Sequence, residues 1–443
     1  MSIPVPASPP APVVADIEQF LCEAVAALAP EEAGPRGPGR PRVLPALALW
    51  AGLLVCVLHG FSSHLALWRL LTARGLWRFP RVAISDQALY HRLARDGTAP
   101  LERLFRRISA LLADRLAPYA ATALAAFASG VYALDETTLD RVARLLPALR
   151  ALPAGAAALL PGKLAGLFDL RRQQWARVEY QADPQQNEKV AARAMVADLP
   201  AGSLILADLG YFGFQWFDDL TDALHWWVSR LRGKTSYTLI HTFYRHGDTL
   251  DALVWLGAHR ADRAKHAVRL VQFRHNGALR RYVTNVLDPA VLPMADLARL
   301  YARRWDIELA FNLVKTHLGL HLLWGSKPAV VLQQVWAVFT IAQVLQALRL
   351  EIAGKAGVDP YEVSLPLLVE YLPFFAARGL DPVRVVVEQG RALRLIRPSS
   401  RIVIAAPSIP PGALCPRPPG LTLVRVPRYA QRHCCPRAAP ALA

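Results

Sequence analysis

Two acidic residues in this sequence directly follow short apolar runs that are predicted to be strands. In an enzyme built on a sheet, catalytic carboxylates can lie at such positions. Asp135 follows Val131–Leu134, and Asp208 follows Leu204–Ala207. Sites in open α/β sheets form at the carboxyl ends of strands, so both carboxylates are predicted to emerge at one edge. An Asp at the end of a strand is also a common turn former or helix cap, and placement alone leaves that interpretation open.

A third acidic residue belongs to a group of four polar residues whose spacing fits one face of a helix. The group consists of Tyr301, Arg304, Glu308 and Lys315. At about 100° per residue, all four side chains fall within roughly 60° on one helix face. An ordinary ion pair between Arg304 and Glu308 would explain two of these residues, but not four on one face.

Three carboxylates brought together would repel one another, and they stay ionised together most easily around divalent cations. Their oxygens are hard ligands, which suit Mg²⁺ or Mn²⁺ rather than Zn²⁺. The predicted chemistry is therefore that of a site for hard divalent cations, with an aromatic hydroxyl and two cationic side chains beside it.

The elements that must position these residues can be predicted from the surrounding patterns. Short apolar runs alternate with helical patterns from residue 130 onward, which predicts an α/β core. Leu164–Leu170 and Trp175–Tyr180 form a candidate strand pair, and residues 232–287 hold four runs rich in β-branched and aromatic residues. Met294–Gly319 then continues as one long helical pattern.

The stretch before this core is helical in pattern and strongly basic. Residues 36–107 contain twelve Arg against three acidic residues. Ser85 can cap a helix from Asp86 to about Arg95, and a basic capped helix behind a turn is how a recognition helix enters a major groove. Arg92 and Arg95 are therefore predicted to contact DNA. The alternative is a solvated Arg face on an ordinary helical domain.

The overall charge indicates an acidic partner. The chain has 443 residues, 51 Lys and Arg against 34 Asp and Glu, and a net charge of +17. With 53% hydrophobic and 19% charged residues, intrinsic disorder is excluded for most of it. Nucleic acid is the first partner to expect and an anionic membrane the second, unless the charge reflects a proteome that favours Arg. The tail from Arg391 holds nine Arg and no acid, and charge concentrated toward both ends favours DNA.

No segment is predicted to cross a membrane or to form a disulfide framework. Leu47–Leu58 is shorter than the roughly 18 residues that a span needs, and glutamines interrupt Ala329–Leu350. The N-terminus shows no secretory signal. Five scattered cysteines fit a reducing cytosol, and the spacing of Cys415, Cys434 and Cys435 matches no zinc knuckle.

The four-residue group resembles the Tyr–Arg–Glu–Lys signature of transposases of the insertion sequence four family. The segment around it, Leu300–Phe311, resembles the most recognisable stretch of that family. Asp135 in Asp-Glu-Thr and Asp208 in Asp-Leu-Gly-Tyr resemble its first and second acidic motifs. Leu209 departs from the family, in which Arg is frequent after the second Asp. The resemblance covers roughly residues 130–345.

The resemblance implies an α/β ribonuclease-H-like catalytic core, with the β-rich stretch 232–287 as an insertion between the second Asp and the Glu. Around this core we predict a flexible N-terminal segment, an N-terminal helical DNA-binding domain, a helical C-terminal region and a basic Pro-rich tail. The N-terminal segment is predicted at 1–42 and the helical DNA-binding domain at 43–128. The catalytic domain follows at 129–350, the C-terminal region at 351–390 and the tail at 391–443.

It further implies a DDE transposase that cuts the ends of an insertion sequence and joins the 3′-hydroxyl to target DNA. Asp135, Asp208 and Glu308 would be the catalytic residues and would hold two Mg²⁺ or Mn²⁺ ions. Such ions can activate a water or a 3′-hydroxyl and stabilise the leaving oxygen of a phosphodiester. The residues of the signature that would hold the DNA backbone are Tyr301, Arg304 and Lys315.

The implied partner is double-stranded DNA, bound as element ends and as target by a homodimer in the cytoplasm of a bacterium, with no membrane involved. Characterised relatives also imply a hairpin intermediate and a flipped base stacked on an aromatic of the insertion. Trp255 is a candidate for that stacking, with Trp226 and Trp227 nearby, and a buried core role is the alternative for each. A non-catalytic DNA-binding derivative, such as a repressor or a decayed copy, is the alternative for the whole chain.

Overall fold

The computed structural model describes residues 14–28, 43–61, 63–76, 79–139, 162–184, 186–258, 262–325, 327–410 and 412–429. The first three arginines of the basic stretch, Arg36, Arg40 and Arg42, lie outside these residues, as do Cys434 and Cys435. The chain forms two compact units. Three stretches make up the first unit, Met1–Thr122, Asp135–Met195 and Trp305–Ile402, and three make up the second, Ala123–Leu134, Val196–Arg304 and Val403–Ala443. The linear domain bounds predicted above stay a prediction.

Twelve α-helices occur in the described part of the chain. They are α1 Val14–Ala26, α2 Ala46–Leu58, α3 His64–Arg69, α4 Asp86–Arg95, α5 Ala99–Leu116, α6 Glu188–Val196, α7 Phe214–Asp222, α8 Met294–Ala302, α9 Trp305–Asn312, α10 Pro328–Ala356, α11 Leu365–Ala377 and α12 Pro382–Gln389. Short π-helical turns follow α3 at Leu70–Arg74 and α9 at Leu313–His317. Short 3₁₀ turns lie at Ala117–Tyr119, Leu209–Tyr211 and Pro360–Glu362.

Nine strands accompany these helices. They are β1 Val131–Thr138, β2 Lys163–Asp169, β3 Gln174–Gln181, β4 Leu204–Ala207, β5 Trp226–Arg230, β6 Tyr237–His246, β7 Thr249–Leu256, β8 Val268–His275 and β9 Ala278–Thr284. The predicted strand pair is confirmed, since β2 and β3 pair antiparallel. The four β-rich runs of the predicted insertion are also confirmed as strands β6 to β9.

The strands of each unit lie side by side in a sheet, and the sheet of the second unit is mixed. In the first unit the order is β3-β2-β1, and in the second it is β1-β4-β5-β9-β8-β7-β6, with β1 divided between them after Leu134. β1, β4 and β5 run parallel, and the strands from β5 to β6 in that order are antiparallel. The last paired residues of β1 and β4 are Leu134 and Ala207. Asp135 and Asp208 are the residues that follow this pair on their strands.

The first unit is built around α10, which packs against α2, α4, α5 and α12. By length and composition α10 could pass for a membrane span, yet 83% of its most apolar 18-residue window is buried inside the protein. Its buried glutamines anchor it: Gln343 Nε2 donates to Ser109 Oγ at 2.7 Å, and Gln343 Oε1 accepts from the Trp175 backbone N–H at 2.9 Å. Gln333 Nε2 likewise donates to the Leu93 carbonyl at 2.7 Å. These bonds satisfy polar groups that would otherwise be costly to bury.

Two predicted element bounds were wrong. The strand expected to end before Asp135 continues to Thr138, so Asp135 lies within β1. The single long helix from Met294 is interrupted at residues 303 and 304. The backbone N–H of Arg304 bonds only three residues back, to Tyr301 at 3.1 Å, which tightens the last turn of α8.

The four signature residues therefore do not share one face of one continuous helix. A tight turn separates Tyr301 from Glu308, and Lys315 lies in the π-helical turn after α9. A fixed angle of about 100° per residue applies only within a regular α-helix. The break leaves Tyr301 and Arg304 in the second unit and places Glu308 and Lys315 in the first.

An ion pair inside the second unit should dominate the stability of its sheet. Arg269 on β8 and Asp251 on β7 are both fully buried, with Nη2 and Oδ2 at 2.6 Å, and Arg269 Nη1 also donates to the Leu292 carbonyl at 2.6 Å. Asp251→Asn leaves a buried guanidinium without its counter-charge, so we expect unfolding in urea to be easier by about 3–5 kcal/mol.

The matched control is Asp248→Asn, which removes an exposed partner of Arg274 from the turn just before β7. Its expected cost is below about 1 kcal/mol because solvent screens exposed pairs. Equal losses for both variants would show that burial does not set the energy of the inner pair.

Candidate active site

Strand β1 and helix α9 place two of the predicted catalytic carboxylates in one cavity of the first unit. Asp135 extends from β1 and Glu308 from the first turn of α9, and both line a cavity of about 470 Å³. Phe311 and Asn312 of α9 and Thr137 of β1 also line it. Both carboxylates are partly exposed, so water and a ligand can reach them.

Lys315 lies at the other end of the same cavity and ties α9 to β1. Its ammonium donates to Thr137 Oγ1 at 3.2 Å and to the Thr138 carbonyl at 3.1 Å. The side chain is half-buried, and it lines the same cavity as both carboxylates. The structure therefore brings Lys315 together with Asp135 and Glu308, as the sequence predicted, although a turn rather than a helix face does so.

A second carboxylate on β1 is already neutralised. The Nζ of Lys163 lies 2.5 Å from Oε2 of Glu136, and each side chain is only 7% exposed. Lys163 also donates to the Gln186 carbonyl at 2.5 Å, and Gln181 Nε2 donates to Glu136 at 3.4 Å. Sequence reasoning missed this pair, because no local spacing connects residues 136 and 163.

Asp208 belongs to the second unit, directly after β4. It precedes the 3₁₀ turn Leu209–Tyr211, and its side chain makes no capping hydrogen bond to that turn. The helix-cap interpretation of Asp208 therefore does not hold. Arg232 supports the turn from outside, since its Nη2 donates to the Leu209 carbonyl at 3.1 Å and its guanidinium lies 5.4 Å from the centre of the Phe212 ring.

Tyr301 and Arg304 lie in the second unit with Asp208, and both are 5% exposed. The Tyr301 hydroxyl donates to the carbonyl of Ala207, one residue before Asp208, at 3.3 Å. Burial raises the pKa of this hydroxyl, and the charge of Asp208 adds to the rise while Arg304 opposes it. Tyr301 thus stays protonated and packs on Tyr282, with ring centres 4.9 Å apart. Its position stabilises the end of β4 rather than presenting the hydroxyl at the surface.

The donor set in the first unit fits a hard divalent cation. Asp135 and Glu308 supply carboxylate oxygens and Thr137 a hydroxyl, and Mg²⁺ is commonly held by one or two carboxylates together with water and substrate phosphate. Among the residues that the structure describes, no group of three or more His, Cys, Asp or Glu side chains is placed to hold a metal ion. The three-carboxylate metal site therefore stays a prediction.

The helix predicted from Asp86 to about Arg95 is confirmed as α4, and Ser85 caps it by accepting from the Ala88 N–H at 3.2 Å. Its role as a recognition helix stays a prediction. Arg92, however, is 8% exposed and forms an ion pair with Asp96, so its guanidinium serves the fold. Arg95 is 70% exposed and lies 4.0 Å from Asp96. Within the first unit α4 forms one wall of a groove of about 740 Å³.

The cationic side chains of this groove come from two elements. His91 and Arg95 lie on α4, and Lys327 lies at the start of α10 with its Nζ 5.8 Å from the Tyr90 ring centre. All three are exposed. Neither His91 nor Lys327 was predicted to contact DNA. Lys327 is far from α4 in the sequence, and only the fold brings it to that helix.

The candidate stacking aromatics have different surroundings in the second unit. Trp227 is buried, stacks on Phe217 at 4.1 Å and donates to Thr221 at 3.0 Å, which is a core role. Trp255 is half-buried and carries the guanidinium of Arg425 4.6 Å from its ring centre. Trp226 is half-buried.

Comparison with known proteins relates part of the chain to one family. The family model of the transposase DDE domain matches residues 162–344. That range includes Asp208 and Glu308 and leaves Asp135 outside. No curated protein matches the sequence.

A solved piggyBac transposase, in a synaptic complex with hairpin DNA, is similar over 86% of each chain, with 8% identity and a TM-score of 0.41. A likeness of that degree carries no argument about this chain. The match to the family model shows that residues 162–344 of this chain are similar to a transposase DDE domain.

Proposed function

We propose that this protein is a DNA transposase of an insertion sequence, which cuts the element ends and joins the 3′-hydroxyl to target DNA. One observation carries the proposal. Asp135 and Glu308, far apart in the sequence, line one cavity together with Lys315. The match to the transposase DDE domain supports it independently, because it rests on sequence rather than on the cavity.

The order of the strands supports a ribonuclease-H-like core as part of the proposal. β3, β2 and β1 are followed by the parallel neighbours β4 and β5. Asp135 and Asp208 come next after the last paired residues of β1 and β4, at the carboxyl end of β4, where sites of α/β sheets form. The Tyr–Arg–Glu–Lys signature and membership of the insertion sequence four family belong to this proposal as well.

In the proposed reaction Asp135, Asp208 and Glu308 hold two Mg²⁺ or Mn²⁺ ions. When bound, such ions activate the attacking hydroxyl or water and stabilise the leaving oxygen. Lys315 can leave Thr137 for a phosphate oxygen, since a lysine ammonium is a mobile point charge. Arg304, buried near Tyr301, contributes a fixed positive charge beside Asp208.

The proposed partner is double-stranded DNA, bound as paired element ends by a homodimer in the bacterial cytoplasm. The groove lined by Arg95 and Lys327 supports the DNA part of this proposal, because cationic side chains neutralise backbone phosphates. Arg92 is better explained as a structural residue, since its guanidinium is paired with Asp96.

Removal of either carboxylate from the cavity should abolish cutting. Asp135→Asn and Glu308→Gln each take a charged ligand from the proposed metal site, and we expect nicking of a labelled element end to fall by roughly a hundredfold or more. The measurement is the nicking rate in Mg²⁺ and in Mn²⁺ at saturating protein. Asp208→Asn should behave in the same way.

Glu388→Gln is the control, since it removes an exposed carboxylate of α12 that pairs with Arg384, and it should nick like the wild type. Nicking that survives in all three site variants would reject the site. A wild-type protein that binds element ends but does not nick them in either metal would favour the non-catalytic DNA-binding derivative.

Charge in the α4 groove should set the salt dependence of DNA binding. Arg95→Gln and Lys327→Gln should each weaken binding and reduce the slope of log K against log salt by about 1, because one phosphate contact is lost. Fluorescence anisotropy between low and moderate salt measures that slope. Arg384→Gln, an exposed arginine of α12, is the matched control, and an equal loss of slope there would contradict a specific role for the groove.

A further inference from the structure

Helix α9 is anchored at its start by a buried ion pair that the proposed reaction does not use. Asp306, its second residue, is 1% exposed, and it accepts from Arg401 Nε at 3.2 Å and from Arg401 Nη2 at 2.8 Å. This is a bidentate fork, the strongest geometry for such a pair. Arg401 also pairs with Asp359, the N-cap of the 3₁₀ turn before α11. Burial works to lower the pKa of Arg401, but Asp306 and Asp359 raise it above its ordinary value.

Tyr361 completes the same anchor with its ring and its hydroxyl. The guanidinium carbons of Arg401 and Arg349 lie 4.2 Å and 4.1 Å from the centre of its ring, within the range of cation–π attraction. The hydroxyl donates to the backbone carbonyl of Asp306 at 3.3 Å. The ring therefore holds two arginines whose charges would otherwise repel, and it contacts α9 directly.

A strained hairpin residue joins the anchor to β2 and β3. Gln173 has φ of 54° and is 1% exposed, and this left-handed conformation is strained for a residue other than glycine. Its Nε2 donates to Asp306 Oδ2 at 3.1 Å, and its Oε1 accepts from Arg349 Nη2 at 3.0 Å. The two bonds explain why this conformation persists at the tip of the hairpin.

The anchor and the cavity lie on different sides of α9. Asp306 and Glu308 are two residues apart, and a rotation of about 200° separates their side chains on the helix. Asp306 is bonded into the protein while Glu308 lines the cavity with Asp135. At the far end Lys315 ties the following turn to Thr137. The helix that carries Glu308 is thus held at both ends.

We propose that Asp306 is a positioning residue which, through Arg401, Tyr361 and Gln173, fixes the orientation of α9 so that Glu308 faces the cavity. The inference rests on the proposed function for its consequence, which is the binding of divalent metal by Glu308. Its structural content, the anchoring of α9, does not depend on any activity.

The test combines the variant Asp306→Asn with a readout that needs no catalysis. Hydrogen–deuterium exchange of peptides within residues 305–312 should be about tenfold faster in the variant, because the buried fork is lost, while peptides of α5 should be unchanged. The Mn²⁺ concentration for half-maximal nicking should also rise by about tenfold, the size expected when the residue that orients a metal ligand is removed. Arg401→Lys, which keeps the charge but loses the fork, should show a smaller rise of the same kind.

Glu351→Gln is the matched control. Glu351 is a buried carboxylate of the same unit, paired with Arg115 of α5 at 2.7 Å and with Lys355 of α10 at 2.7 Å. It should lower the melting temperature without changing the exchange of α9 or the Mn²⁺ requirement.

Four outcomes decide the inference. Faster exchange in α9 with a raised Mn²⁺ requirement supports it, and non-additive effects of Asp306→Asn and Arg401→Gln would tie both to one interaction. Unchanged exchange of α9 in Asp306→Asn overturns it, as does an equal change in Glu351→Gln. A wild-type protein that never nicks would overturn the proposed function, and the exchange measurement would still decide whether Asp306 anchors α9.

Discussion

Helix α9 must hold the carboxylate of Glu308 at the cavity that Asp135 also lines, although two carboxylates repel each other. Glu308 and Asp135 line the same cavity as Lys315, whose ammonium bonds Thr137 and Thr138 and so ties the turn after the helix to β1. At the opposite end Asp306 is held by Arg401. A short helix of eight residues has little stability of its own, so these contacts rather than helix propensity set its orientation.

Buried polar side chains perform similar work elsewhere in both units. Gln343 joins α10 to α5 and β3, and the pair of Arg269 and Asp251 joins β8 to β7. Such groups add less to stability than apolar packing, but they are satisfied in only one arrangement. In this protein they occur where helices and strands must meet at a defined register, including the start of α9.

Much of the secondary structure could be predicted from the sequence, and so could the grouping of Asp135, Glu308 and Lys315, which line one cavity. Ser85 and the helix after it, the strand Leu204–Ala207 before Asp208, and the β-rich stretch that became β6 to β9 follow local patterns of capping and alternation. These patterns depend on neighbours within a few residues, which is why they can be detected without a structure. The break before Trp305 could not be predicted, because the periodicity continues through it and only tertiary packing favours the tight turn there.

The sequence by itself determined which residues carry charge and acid, and therefore the chemistry that the protein can perform. It held Asp135, Asp208 and Glu308 at separate motifs, and it concentrated arginine toward both ends of the chain. Only the tertiary structure decided which charges are available. Lys163 neutralises Glu136, Asp96 engages Arg92, and Arg401 engages Asp306, in each case through a side-chain contact. The physical reason is that a charge is available to a substrate only when no counter-charge lies within bonding distance. For most of these pairs the two partners are far apart in the chain, and only the fold brings them together.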